Sequence, residues 1–287
     1  MDKLTEHDLR YDIADEYVDL VCQLWNSWEE GAVIRDQETN TYADFKKVHA
    51  IHFAGKYFKS RGPLNTVRSP QGQPTFVQAG GSPKGRQFAA KYADSIIAVA
   101  NGVEGMKAYR DDVRARAAAQ GRNPDDIKVL FLAHPIIDVT MEGARERQRL
   151  EQAEAEKHLD LHLSGMSRLT GIDFAKYDLD QPLPTDLTTN GHQSALAKWI
   201  GKTPRALVRS YARKDGIDFT GTADHVAGMM QELMEEVGGD GFLIFNSYFD
   251  RRYVIEVCDG LVPELQRRGV VRTQYAHKHL KDNLLEF

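Results

Sequence analysis

Apolar residues recur every three or four positions between His7 and Glu30, at Tyr11, Ala14, Val18, Val21, Trp25 and Trp28. That spacing predicts one long amphipathic helix over His7 to Glu30. The pattern then turns polar and irregular, with two strand-like pieces, "KVHAIHFAGKYFKS" and the Pro/Gly-rich "RGPLNTVRSPQGQP". Within the first, "HFAGKYF" reads as a small hairpin turning at glycine. Beyond Pro74 a regular alternation sets in. It runs from strand "TFVQAG" to a helix from Ser82 to Ala93, strand "SIIAVA", and a helix from Val103 to Gln120. Strand "KVLFLAHPIIDV" follows, then a helix from Met141 to about Leu163 and, much later, strand "GFLIFNS" and a helix from Arg252 to Arg268.

Strands that are apolar throughout and alternate with amphipathic helices pair in parallel, with both sheet faces covered. The expected fold class is therefore α/β. Between the third and fourth strands lies a long excursion, residues 156–220, with the Pro-rich "TGIDFAKYDLDQPLPTD" at its centre and two helical stretches after it. An insertion of this size at a strand end is expected to form a lid over a substrate site. Arg168, Lys176, Lys198, Lys202 and Arg205 in it either favour an anionic substrate or are solvated surface charge.

Composition adds exclusions. Of 287 residues, 41% are apolar and 28% charged, enough for a large core, and the net charge of -5 with dispersed basic residues argues against nucleic acid as a partner. No apolar run is long enough to span a membrane, and "MDKLTEHDLRYD" lacks the apolar core of a signal peptide, so a cytoplasmic location is expected. Cys22 and Cys258 sit in apolar-periodic stretches, "YVDLVCQLW" and "YVIEVCDGL", and are expected to be buried, reduced core residues.

The stretch with the sharpest chemistry is "FVQAGGSPKGRQFAAKYAD", where a strand hands over to a helix. Ser82 is placed as the helix N-cap and Pro83 at the first helical position, where its missing N–H costs nothing. Gly80 and Gly81 let a ligand approach the backbone, Gly85 leaves the helix mouth open, and Lys84 and Arg86 add positive charge. Two readings fit: a phosphate site on the helix N-terminus, or a plain tight turn with a serine cap. The P-loop and Rossmann glycine spacings are both absent.

His7 and Tyr11 lie four apart on a helical face, so imidazole and phenol either donate together to one anion or simply pack. His49 and His52 in "KVHAIHF" would alternate faces of a strand, which argues against a shared metal. His158 and His162 have i, i+4 spacing but no Glu follows the first, so no metal is expected. "SYARKDG", from Ser210, has no base nearby in sequence and no nucleophile elbow occurs, so a serine hydrolase is not expected.

Four segments together resemble a known family: "EHDLRYDIADEYVDLVCQLWNSWEEGAVIRD", "FAGKYFKSRGPLNTVRSPQGQPTFVQAGGSPKGRQFAAKYAD", "TGIDFAKYDLDQPLP" and "GLVPELQRRGVVRTQYAHKHLKDNLL". The chain resembles the nitrilotriacetate monooxygenase component A family, which includes dibenzothiophene sulfone monooxygenase, among the bacterial luciferase-like flavin-dependent enzymes. The resemblance implies a TIM-like (β/α) barrel. It implies that reduced FMN, supplied by a separate NAD(P)H:flavin reductase, reacts with O2 and oxygenates a small organic substrate. The family's FMN-phosphate contacts map onto His7, Tyr11 and Ser82, and no catalytic acid or base is singled out.

The chain departs from the family by lacking its N-terminal section, so one partial barrel domain over residues 1–287 is expected, the C-terminal half to two thirds of a barrel. Four parallel strands are visible where eight close a barrel. Exposed sheet edges of that kind favour association, so a homo-oligomer is expected. Two alternatives stand beside the monooxygenase: a catalytically impaired remnant or flavin/phosphate-binding module, and a barrel enzyme for a phosphate ligand other than flavin.

Overall fold

The computed structural model describes residues 5–100, 102–210, 217–246 and 249–286. Most of the "SYARKDG" segment and the end of "GFLIFNS" lie outside the described residues. The chain divides into two compact units, residues 1–76 and 77–287.

The first unit opens with helix α1 (His7–Trp25), which ends at Asn26, short of the predicted Glu30. Glu6 caps it, its carboxylate accepting from the Asp8 and Leu9 N–H groups at 3.0 and 2.9 Å. Strands β1 (Val33–Asp36) and β2 (Thr41–Ala43) form an antiparallel hairpin with no sequence-based expectation behind it. The expected "HFAGKYF" hairpin is present as β3 (Phe53–Ala54) and β4 (Lys59–Ser60). Its turn is tied to α1 by Glu16, whose carboxylate accepts the N–H groups of Lys56, Tyr57 and Phe58 at 2.7–2.9 Å. Burial alone would raise this carboxyl, and the three backbone donors outweigh it, holding Glu16 below the usual range. The "RGPLNTVRSPQGQP" piece is not a strand; only a single bridge, Ser69 to Gly72, forms there.

The second unit carries a four-stranded sheet in the order β10-β7-β6-β5, all neighbours parallel, as the alternation predicted. The strands are β5 (Val77–Gln78), β6 (Ser95–Ala98), β7 (Lys128–Ala133) and β10 (Phe242–Ile244). Among the described residues no hydrogen-bonded closure joins β5 to β10. Helices α2 (Pro83–Tyr92) and α3 (Gly102–Ala119) fall within a residue of prediction. The core gathers Ile96, Val129 and Phe131 from the sheet with Met106 and Val113 of α3, all fully buried.

"KVLFLAHPIIDV" is two strands, not one. After β7 the chain breaks at His134-Pro135, where proline offers no N–H to a ladder, and resumes as β8 (Ile136–Ile137). There β8 pairs in parallel with β9 (Thr220–Gly221) in a separate small sheet. The predicted single helix after Met141 is likewise α4 (Met141–Lys157) and α5 (Leu159–Thr170), separated at non-helical His158. Helices α6 (Gln193–Trp199) and α7 (Pro204–Ser210) are the two expected in the excursion, whose residues form their own apolar cluster around Phe174, Leu183 and Leu196.

Helix α8 (Ala223–Val237) was absent from the sequence reading although Val226, Ala227, Met230, Leu233 and Val237 mark its buried face. The last helical run comprises α9 (Arg251–Ile255), a π-helical turn over Glu256–Leu261 and α10 (Val262–Arg267), with α11 (Leu280–Leu285) near the end. Here the cysteine expectation is corrected: Cys22 is only half-buried and Cys258 is exposed, both as free thiols. Tyr253 and Leu261 take the inward face of the run, and Cys258 lies off it.

Asp218 joins α4 to the start of β9. It accepts from Arg145 and Gln148, each at 2.6 Å, while Gln148 also reaches Thr220. Burial pushes this carboxyl up, but bonds from Thr220, Arg145 and Gln148 prevail and hold it below its usual value. A depressed carboxyl contributes stability above its unfolded pKa and loses it as pH falls through the folded one. Asp218→Asn is therefore expected to lower the denaturation midpoint at neutral pH, with the deficit shrinking on acidification through the carboxylate range. A deficit that is constant with pH would contradict the assignment.

Candidate functional site

The strand-to-helix turn after β5 has the predicted local chemistry. Ser82 is the N-cap of α2, with extended backbone (φ -73°, ψ 157°), and its Oγ accepts the Gly85 N–H at 3.1 Å. Ser82 is buried, at 7% exposure. A Cβ built on Gly80 would stand 3.1 Å from the Gly85 carbonyl, so glycine alone lets the strand end lie this close to the helix. The Tyr109 hydroxyl of α3 donates to the Gly80 carbonyl and fixes it from the other side.

No acidic residue stands in the first turn of α2, whereas α1, α3, α4, α5 and α8 each carry one there. The helix mouth is therefore left without the negative side chain that usually complements its dipole. Arg86 does not add free positive charge as expected. Its guanidinium pairs with Asp112 at 2.7 Å and lies over the Tyr109 ring.

Helix α6 of the excursion lies against this turn. A Cβ on Gly81 would meet Ser194 Oγ at 2.5 Å, and Lys198 Nζ donates to the Val99 carbonyl just past β6. Of the other cationic residues of the excursion, Arg205 is held by Asp180 at 2.7 Å and Lys176 by Asp173 at 3.5 Å.

In the first unit His7 and Tyr11 occupy the first turn of α1 as predicted, with ring centroids 5.2 Å apart in edge contact. His7 is buried, and its Nδ1 lies 2.7 Å from the Asp8 carboxylate. The Asp8 contact thus engages one of the two ring nitrogens. The first N–H groups of α1 are already taken by Glu6.

Among the described residues the other histidines are not grouped with further metal-ligating side chains. His49 Nε2 pairs with Glu29 at 2.6 Å, and His52 lies before β3 with φ 50°, so neither sits on the strand assumed for them. His158 pairs with Glu154, and no group of His, Cys, Asp or Glu among the described residues is arranged to hold a metal.

Sequence reading missed a charged cluster at the C-terminal end of β7. His134 Nε2 is 3.7 Å from Glu151, and Arg147 is 2.8 Å from Glu256. Arg252 bridges Glu256 and Asp138 at 2.6 and 3.0 Å. Burial pushes the Glu151 carboxyl up, and burial, with Glu151 and Glu256 nearby, pushes the Tyr253 phenol above its usual range. The available signal was "FLAHP", a histidine and proline ending an apolar parallel strand, the end at which α/β proteins place their sites.

A parallel sheet that delivers a glycine-rich turn to a helix N-terminus defines an α/β protein. The luciferase-like monooxygenase family model matches residues 2–241, and the chain belongs to that family. It is 36% identical over 290 residues to dibenzothiophene-sulfone monooxygenase of Rhodococcus erythropolis, covering 97% of this chain and 63% of that protein. It is 35% identical over 288 residues to nitrilotriacetate monooxygenase component A of Aminobacter aminovorans, again 97% and 63%. A crystal structure of riboflavin lyase with modified FMN and riboflavin superposes with TM-score 0.89 at 31% identity, covering 99% of this chain and 63% of that one. The chain thus spans less than two thirds of the length of these relatives. The fold is the luciferase-like α/β type. No helix among the described residues is long and apolar enough to cross a membrane.

The Gly81–Ser194 approach is testable by itself. Gly81→Ala is expected to cost about 1–3 kcal/mol by crowding α6. Much of that loss should vanish in a Ser194→Gly background, measured by chemical denaturation as a double-mutant cycle. Equal losses in the two backgrounds would show that the contact does not form.

Proposed function

We propose that this chain acts as the flavin-handling part of a two-component, FMN-dependent monooxygenase that oxygenates a small organic substrate. The carrying observation is the Ser82 turn, a buried serine cap on a helix mouth free of acidic side chains, approached by two glycines. It supports a phosphate ligand through the positive end of the helix dipole and the Ser82 hydroxyl, whose Oγ already engages the Gly85 N–H. Bound reduced FMN would supply the O2 chemistry. The chain's own part is to hold the phosphate at Ser82 and to keep water from the strand ends, where α6 and its excursion lie as a lid. His7 and Tyr11 are proposed as further donors on the family pattern.

The name "component A" of one relative supports a second component, here an NAD(P)H:flavin reductase as the source of reduced FMN. The alternative, a flavin-binding module without oxygenase activity, predicts the same binding but no turnover. Adding a flavin reductase and NADH, and following O2-dependent oxidation of candidate sulfones and aminopolycarboxylates, separates the two.

The binding claim is tested by titrating FMN and riboflavin, with flavin fluorescence as readout. Ser82→Asp keeps a capping oxygen while setting a carboxylate where the phosphate would lie. It is expected to weaken FMN binding by about tenfold or more, with riboflavin, which has no phosphate, little changed. His7→Gln and Tyr11→Phe are expected to weaken FMN more than riboflavin. An unchanged ratio of FMN to riboflavin affinity in Ser82→Asp would sink the phosphate assignment.

A further inference from the structure

Helix α6 turns one face to its own segment and the other to the sheet. Leu196 is buried in the apolar cluster of the excursion, and Trp199 and Ile200 pack against that same cluster. Ser194 and Lys198, four residues apart, share the opposite face. Both reach the sheet. A Cβ on Gly81 would stand 2.5 Å from Ser194 Oγ and 2.9 Å from Ser194 Cβ, and Lys198 Nζ donates to the Val99 carbonyl at 2.5 Å.

These two contacts fall on neighbouring strands. β5 and β6 are parallel partners, and Gly81 and Val99 each follow the C-terminal end of their strand. Same-face residues one helical turn apart are spaced by about 5–6 Å, close to the roughly 4.8 Å between adjacent strands. Helix α6 therefore lies across the two strand ends, with its serine on the β5 turn and its ammonium one strand over. The residue after Gly81 is Ser82, the cap of α2. The excursion thus delivers a cation beside a helix mouth whose first turn carries no acidic side chain.

Other cations of the excursion are directed elsewhere. Arg205 and Lys176 are held by Asp180 and Asp173, both on the excursion itself. Lys198 instead reaches out of its segment to a backbone carbonyl of the sheet. A phosphate dianion is a stronger partner for an ammonium than a carbonyl dipole, because attraction between opposite charges adds to the hydrogen bond. The flexible lysine stem lets the ammonium change partner while α6 stays seated on its cluster.

We propose that Lys198 contacts the phosphate held at Ser82, its ammonium passing from the Val99 carbonyl to a phosphate oxygen, and that this ion pair fastens α6 over the ligand. The inference rests on the phosphate reading of the Ser82 turn. It adds a ligand contact from the excursion and one consequence: closure of α6 depends on the phosphate of the flavin and not on its ring.

FMN and riboflavin are titrated on the whole chain by flavin fluorescence, and hydrogen exchange of residues 193–200 is followed with each ligand. FMN is expected to protect α6 more than riboflavin does. Lys198→Met is expected to weaken FMN about fivefold or more and to abolish that extra protection, with riboflavin affinity changed by less than about twofold. Lys198→Arg, which keeps the charge, should restore most of both effects, and Arg205→Gln should change neither. An unchanged ratio of FMN to riboflavin affinity in Ser82→Asp would remove the phosphate reading and this inference with it. If Ser82→Asp lowers the ratio and Lys198→Met does not, the lid contact alone is overturned. Equal losses for FMN and riboflavin in Lys198→Met would reduce the lysine to a structural role and also overturn it. So would an equal loss of FMN affinity in Arg205→Gln, which would leave only diffuse surface charge.

Discussion

The approach of the β5 end to the first turn of α2 sets the position of everything built around Ser82. At Gly80 the backbone lies so near the Gly85 carbonyl that even a methyl group would crowd it. The helix meets the sheet through equally small residues, Ala89 and Ala90, both fully buried. Small side chains on both partners bring helix and strand close, and that closeness buries Ser82 and its cap bond. Tyr109 then locks the Gly80 carbonyl from α3, while Arg86, drawn onto Asp112 and the Tyr109 ring, is held along the helix flank. The first turn of α2 carries no acidic side chain.

What the sequence made legible follows from how local its causes are. The Ser82 cap, Pro83 at the first helical position and the apolar β6 and β7 are dictated by residues within a few positions, and they appear where expected. The hairpin at Gly55 was also readable, although the carboxylate that secures it, Glu16, lies some 40 positions away. The break between β7 and β8 was missed because "LAHPII" is apolar on both sides of proline, and only the pairing of β8 with β9 reveals two sheets. The split at His158 is of the same kind: the apolar period runs through it, and tertiary packing decides the bend. By contrast α8 was legible and was overlooked, since its buried residues follow a helical period throughout.

Of the three residues expected at the phosphate, Ser82 caps α2, as its place in the sequence implies. His7 and Tyr11 adopt the predicted i, i+4 contact, and Asp8, which their spacing does not involve, lies against the imidazole. A carboxylate one residue on lies 2.7 Å from Nδ1. One ring nitrogen of the pair is therefore already engaged, a property that spacing alone does not express. The cluster around His134, Glu151, Arg147 and Glu256 was invisible for a different reason. Its members come from β7, α4 and the π-helical turn, and only the fold assembles them.

The excursion shows how a variable surface can be carried on a fixed frame. Its stability is supplied in large part internally, with Phe174 fully buried against Trp199 and with Leu163, Met166, Leu183, Leu196 and Leu207 around them. At the strand ends it makes contacts of another kind: the Ser194 hydroxyl against Gly81, and one ammonium on the Val99 carbonyl. Apolar burial therefore holds the segment together, while small and polar groups set where α6 rests. Substitutions on the face of α6 that meets the turn change the surface over Ser82 without opening a hole in either core. The sheet core does not depend on them, since Ile96, Val129 and Phe131 are covered by α3 and α8. A segment folded on its own cluster and resting on a glycine turn can thus vary in sequence where it meets that turn, while the Gly80–Ser82 geometry beneath it stays constant.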